Sequence, residues 1–134
     1  MKAYVSVDHN SRKKLSKEII ALGMALSTAS VEQYIFVDKF TFEEGQEIEL
    51  VQKALKEIDN SNFVIVETTY QTVTSSVEVG YAKAKRKPIV YLQHESVAIS
   101  PILYGLSNFH IKYSNPKDLF DQMSEFLKNI LPQN

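Results

Sequence analysis

Five short runs rich in β-branched and aromatic residues recur along the chain, and each is followed by a segment with helically spaced apolar residues. The runs are AYVSV (3–7), QYIFV (33–37), NFVIVE (62–67), KPIVYL (87–92) and FHIKY (109–113). Strands that are apolar on both faces belong in a parallel sheet covered on both sides. Strands alternating with helices join by short, right-handed crossovers. The pattern predicts a single α/β domain over 1–134, flavodoxin-like or Rossmann-like. Its sheet is five-stranded and parallel, of order 2-1-3-4-5, with helices on both faces.

The helical segments carry their own start signals. Asn10 or Ser11 is placed to cap a first helix whose face holds Leu15, Ile19, Ile20, Leu22 and Leu26. Thr41 and Glu44 have capping-box spacing ahead of a helix running to about Asp59, with Ile48, Val51, Ala54, Leu55 and Ile58 as its stripe. The segment 95–109 holds a loop and a short helix. Asn115-Pro116 opens the last helix, with Pro in the first turn and Leu119, Phe120, Met123, Phe126, Leu127 and Ile130 on its face.

Composition narrows the chemistry. The chain has no cysteine, which removes disulfides, thiolate metal sites and cysteine nucleophiles. Its 15 basic and 16 acidic residues give a net charge of -1, so a nucleic-acid polymer held by bulk positive charge is not expected. His9, His94 and His110 lack metal-ligand spacing, and neither a P-loop nor a dinucleotide fingerprint is present. No metal and no cofactor is therefore expected. KAKRK (83–87) falls in the last turn of a helix, where cations offset the helix dipole. No run is long enough to span a membrane and none resembles a signal peptide, which makes a cytoplasmic location the expectation.

In the order 2-1-3-4-5, strands one and three lie side by side and their helices leave to opposite faces, opening a crevice at their carboxyl ends. The residues at that edge are Ser6 to Asn10 and Glu67 to Ser76, with Glu78 on the helix that follows. Two readings of Glu78 compete. Ser75 and Glu78 have capping-box spacing, in which Glu78 would bond back to the Ser75 N–H. Alternatively Glu78 faces the crevice as an ionised carboxylate, favoured by the helix N-terminus and suited to a nucleophile. The hydroxyl-rich loop from Thr68 to Ser76 is either a solvated turn or a receptor for a ribose or phosphate.

The stretch NFVIVETTYQTVTSSVEVGYAKAKRKPIVYL, followed by AISPILYGL, resembles the nucleoside 2-deoxyribosyltransferase-like superfamily. The branch it most resembles is that of the 2'-deoxynucleoside 5'-phosphate N-hydrolases. The resemblance implies N-glycosidic cleavage or transfer on a nucleoside or nucleotide, with Glu78 attacking the anomeric carbon to form a covalent glycosyl intermediate. It implies that Tyr4 positions Glu78 or the substrate, that Thr72 contacts a phosphate, and that Ser100 reaches a neighbouring subunit's site in a homodimer or larger assembly. Asp8 and Ser76 fall at further substrate-binding positions. Three departures accompany the likeness. Ala54 stands where the family carries an aspartate that assists the leaving base. Thr74 and Ser76 stand where it carries glycines. Val7-Asp8-His9-Asn10 replaces a Gly-Ser-basic turn, with Arg12 as the nearby cation that could offset Asp8. These departures raise a second possibility, a non-catalytic nucleotide-sensing or interaction domain. YVSVDHNSRKKL also loosely resembles TIR proteins, which implies a third, NAD hydrolysis.

Overall fold

The computed structural model describes residues 1–41, 43–70 and 72–131. Strands β1 (Lys2–Ser6), β2 (Glu32–Ile35), β3 (Phe63–Glu67), β4 (Ile89–His94) and β5 (Phe109–Tyr113) form one sheet of order β2-β1-β3-β4-β5. Every pairing is parallel, and Tyr4 of β1 lies between Tyr34 of β2 and Val64 of β3. The architecture and strand order are those expected from the alternating runs. All five β3 residues are buried, as a central strand covered on both faces requires.

Two cores sandwich the sheet. On one face, helices α1 (Ser16–Thr28) and α6 (Pro116–Ile130) pack Leu22, Leu26, Leu119 and Met123 onto Val5, Ile65 and Leu92. On the other lie α2 (Phe36–Lys39), α3 (Glu47–Asp59), α4 (Val73–Ala84) and α5 (Pro101–Leu106). They bury Phe36, Leu50, Ile58, Val79 and Leu103 against Tyr4, Val64 and Tyr91. The helix after β1 and the helix after β3 therefore sit on opposite faces, and the switch point falls between those strands. No described helix is long and apolar enough to cross a membrane.

Several local expectations are corrected. Strand two ends at Ile35, because Phe36–Lys39 turns into a short helix that buries Phe36. Neither Asn10 nor Ser11 caps the first helix. Asp8 caps a 3-10 turn at His9–Ser11, and α1 follows from Ser16 with no side-chain cap. Ile20 lies on the solvent side, 62% exposed. Thr41 and Glu44 form no capping box; α3 starts only at Glu47, after Gly45 takes a left-handed φ of +89° that a side chain would strain. The carboxylate of Glu47 then accepts from the Gly45 N–H at 3.1 Å. Of the expected α3 stripe, Ala54 and Ile58 are buried and Leu55 is partly buried, whereas Ile48 and Val51 are 77% and 43% exposed and Leu50 joins the buried face instead. Asn115 caps α6 as expected, accepting from the Asp118 N–H at 2.8 Å.

Candidate active site

The loop after β3 fixes where α4 begins. Thr68 donates its hydroxyl to the Leu92 carbonyl at 2.8 Å, and the Thr69 hydroxyl accepts from the His94 N–H at 3.1 Å. Both hydroxyls tie the loop to β4. Gln71, within this loop, lies outside the described residues. Thr72 is the N-cap of α4, accepting from the Ser75 N–H, so the helix opens at Val73. This start lies three residues earlier than a cap at Ser75 would put it. Ser75 is consequently inside the helix and buried, and Glu78 falls in the second turn, pointing inward.

Glu78 does not bond back to Ser75. Its carboxylate accepts from the Tyr4 hydroxyl on one oxygen and from the Ser6 hydroxyl, at 2.8 Å, on the other. Tyr4 and Ser6 alternate onto the same face of β1, which is why both reach it. Only 7% of Glu78 is exposed. Burial pushes its carboxyl above the usual carboxylate range, against the opposing pull of the Tyr4 and Ser6 hydrogen bonds. The expectation that the helix N-terminus sets its charge is therefore corrected, because a second-turn, buried position lets desolvation dominate. Burial, then the neighbouring Glu78 charge, pushes the Tyr4 phenol far above its ordinary range.

Glu78 and Tyr4 line a cavity of about 210 Å³ between α3 and α4 at the carboxyl end of β1. Its walls are otherwise apolar apart from Thr74, and include Phe36, Val37, Ala54, Leu55 and Val77. Ala54 is thus one of the apolar residues of this wall. Glu57 is turned away to pair with Lys2, and Asp59 accepts from the Tyr81 hydroxyl at 2.9 Å.

The other sequence-derived candidates lie off this wall. Asp8 uses its side chain on the Asn10 N–H, at 3.1 Å. Arg12 is engaged by Asp38 through two contacts of 2.8 and 3.1 Å, rather than by Asp8. Thr72 is the cap of α4, and Ser76 is exposed with its hydroxyl 3.5 Å from the Thr72 carbonyl. Ser100 is buried at the start of α5, its N–H donating to the Tyr91 hydroxyl at 3.0 Å. Four participants were missed from sequence. The signal for Ser6 is its two-residue spacing from Tyr4, which puts both side chains on one face of β1. Phe36 and Val37 were hidden in a strand-like run, and Val77 carried no signal.

A buried carboxylate facing a small apolar cavity at the switch point of a parallel sheet has the layout of a small-molecule site in a doubly wound α/β protein. Neither a protein-family model nor a curated protein matches the chain. Solved structures do. A CMP N-glycosidase of Clostridium botulinum aligns with a TM-score of 0.67 at 19% identity, over 93% of this chain and 99% of that one. A 2-deoxyribosyltransferase of Bacillus psychrosaccharolyticus aligns with a TM-score of 0.67 at 14% identity, over 95% and 96%. A conserved protein of Enterococcus faecalis V583 aligns at 0.58 and 14% identity, over 96% and 95%. The chain shares the fold of these three proteins. At these identities the likeness carries the fold alone, and function rests on the site.

Proposed function

We propose that this protein cleaves or transfers the N-glycosidic bond of a nucleoside or nucleotide, with Glu78 as nucleophile. The observation that carries the reading is the Glu78 carboxylate, held from both oxygens by Tyr4 and Ser6 and facing the apolar cavity. Two hydroxyl donors fix the carboxylate in one orientation, and burial strips it of water that would blunt its attack. An oxygen of Glu78 bonds to the anomeric carbon as the base departs. Water, or an acceptor base, then displaces Glu78 from the same carbon, as in retaining glycosidases. Tyr4 and Ser6 stabilise the carboxylate as it leaves. At about 210 Å³ the cavity is smaller than the range of about 300–1,000 Å³ common for drug-sized ligands, which suits a base with part of its sugar.

The same reading includes a homodimer or larger assembly with shared sites. It is supported by the apolar surface of α4 and α5, where Val73, Val77 and Ile102 are 81%, 54% and 73% exposed. Sedimentation of the purified chain tests it, and a monomer at micromolar concentration would refute it. A nucleotide-sensing domain is the second reading, favoured by the methyl of Ala54 on the cavity wall. One assay separates the two: incubation with nucleosides, their monophosphates and NAD, followed by chromatography for free base. Release that disappears in Glu78→Gln supports the enzyme. Release that persists in that variant removes Glu78 as nucleophile, and ligand binding without release supports the sensing domain.

A further inference from the structure

We infer that the bases this site releases are cationic: the substrates are N-glycosides whose base carries a quaternary ring nitrogen, such as pyridinium or N7-alkylated purine nucleosides. The inference rests on the function proposed above and comes from the polar inventory of the cavity. Among the described lining residues three have a polar side-chain group, Tyr4, Thr74 and Glu78. Glu78 is the nucleophile, the Tyr4 proton is directed at Glu78, and an aliphatic hydroxyl such as that of Thr74 is no acid at neutral pH. A neutral base departs with an extra electron pair and requires a proton from a general acid, and this wall offers none. A quaternised base needs no proton, because the electron pair of the broken bond cancels its charge.

The electrostatics favour the same class. A lone buried carboxylate in apolar surroundings is costly until a cation lies beside it. A cationic base supplies that charge on entry, and the aromatic residues Phe36 and Tyr4 are among those lining the cavity. Substrate binding thereby favours the ionised nucleophile that the empty pocket disfavours. Among the described residues no lysine or arginine lines the cavity, so an anionic group on the substrate must remain outside it.

The step balances. An oxygen of Glu78 bonds to C1' while the C1'–N bond breaks, and its electron pair passes to the ring nitrogen, so the base leaves neutral. Water then bonds to C1', the ester electron pair returns to Glu78, and one proton passes to solvent. The products are the free sugar, the neutral base and one proton.

Two matched pairs test this: 7-methylguanosine against guanosine, and nicotinamide riboside against uridine. Base release is measured for the wild-type chain and for Glu78→Gln, which supplies the background for spontaneous hydrolysis. The Glu78-dependent kcat/KM is expected to be at least about 100-fold higher for the cationic member, the lower end of what a general acid contributes. Equal rates, or faster release of guanosine and uridine, would overturn the inference and leave the proposed function standing. Absence of Glu78-dependent release from all four, and from the nucleoside monophosphates and NAD as well, would remove both. Ala54→Asp, checked for folding by circular dichroism, supplies the missing acid. It should narrow the preference about tenfold or more, and an unchanged ratio in the folded variant would contradict the inference.

Discussion

Replacing Tyr4 by Phe isolates the contact on which the site depends. Tyr4 is 1% exposed and its ring stacks on Tyr34 with centroids 5.8 Å apart, packing that Phe retains. The hydroxyl lost is the one donating to Glu78, which keeps only its Ser6 bond of 2.8 Å. A hydrogen bond to a charged partner contributes about 1.5–3 kcal/mol, and one between neutral groups about 0.5–1.5 kcal/mol. The cost of Tyr4→Phe should therefore follow the ionisation of Glu78. Burial raises the carboxyl of Glu78 in the folded chain, so folded protein holds that proton more tightly than unfolded protein does. Its contribution to stability is fully present below the unfolded carboxylate pKa of about 4.3 and is lost as pH rises through the folded value. Removing a donor that pulls this pKa down extends the loss to higher pH. Urea unfolding should show Tyr4→Phe costing about 0.5–1.5 kcal/mol at pH 4 and about 1.5–3 kcal/mol once Glu78 is ionised. Base release should fall roughly 10- to 100-fold, equivalent to about 1.4–2.7 kcal/mol. Tyr113→Phe is the matched control, because Tyr113 donates to the buried Glu67 at 2.6 Å on the opposite face. It should show the same stability profile and unchanged turnover. A cost under about 0.5 kcal/mol for Tyr4→Phe at pH 8, or one independent of pH, would refute the claim that Tyr4 holds an ionised Glu78.

Glu78→Gln should abolish base release yet raise stability at pH 8, since it removes the cost of burying a charge; unfolding at pH 5 and pH 8 checks this, and a variant less stable than wild type at pH 8 counts against it. Glu67 is likewise raised above its ordinary range, first by burial, so Glu67→Gln should flatten the same pH dependence while preserving turnover. The two helix caps should differ in weight. Asn115→Ala loses a 2.8 Å bond and should cost about 1–2 kcal/mol, whereas Thr72→Ala loses one of 3.4 Å and should cost nearer 0.5 kcal/mol, measured by chemical denaturation.

Strand order and layer assignment were legible because they follow from periodicity and topology, which the chain displays repeatedly. Helix starts were less legible. Thr72, Ser75 and Ser76 are all acceptable caps by residue type, and the choice among them depends on where the Thr68 and Thr69 hydroxyls anchor the loop to β4. That anchoring is tertiary and leaves no local signature. Its consequence is large, since moving the start three residues earlier turns Glu78 from a capping side chain into a buried one. The cavity was obscured for a related reason. Val51 and Leu55 fit an apolar stripe, and a residue lining an apolar cavity has the same sequence signature as one filling a core. Ala54 stands out in the sequence as a departure from the pattern it resembles, and the fold sets it on the same cavity as Glu78.

The sheet also contains its own comparison for what makes a carboxylate functional. Glu67 and Glu78 are both buried, both raised by burial, and both accept from a tyrosine hydroxyl. They differ in what completes their surroundings. The second oxygen of Glu67 accepts from the Thr69 N–H at 2.6 Å, and Glu67 is not among the residues lining the cavity. Its bonds thus join β3, β5 and the loop that leads to α4, and its role is to hold that loop. Among the described residues Glu78 accepts only from side-chain hydroxyls of β1, and it lines a largely apolar cavity. Perturbation alone therefore fails to distinguish the anchor Glu67 from the proposed nucleophile Glu78, because burial has shifted both in the same direction. The distinction lies in the surroundings: Glu78 lines a cavity, and Glu67 does not. The same apolar walls that make its ionisation costly also make a cationic ring its most favourable occupant.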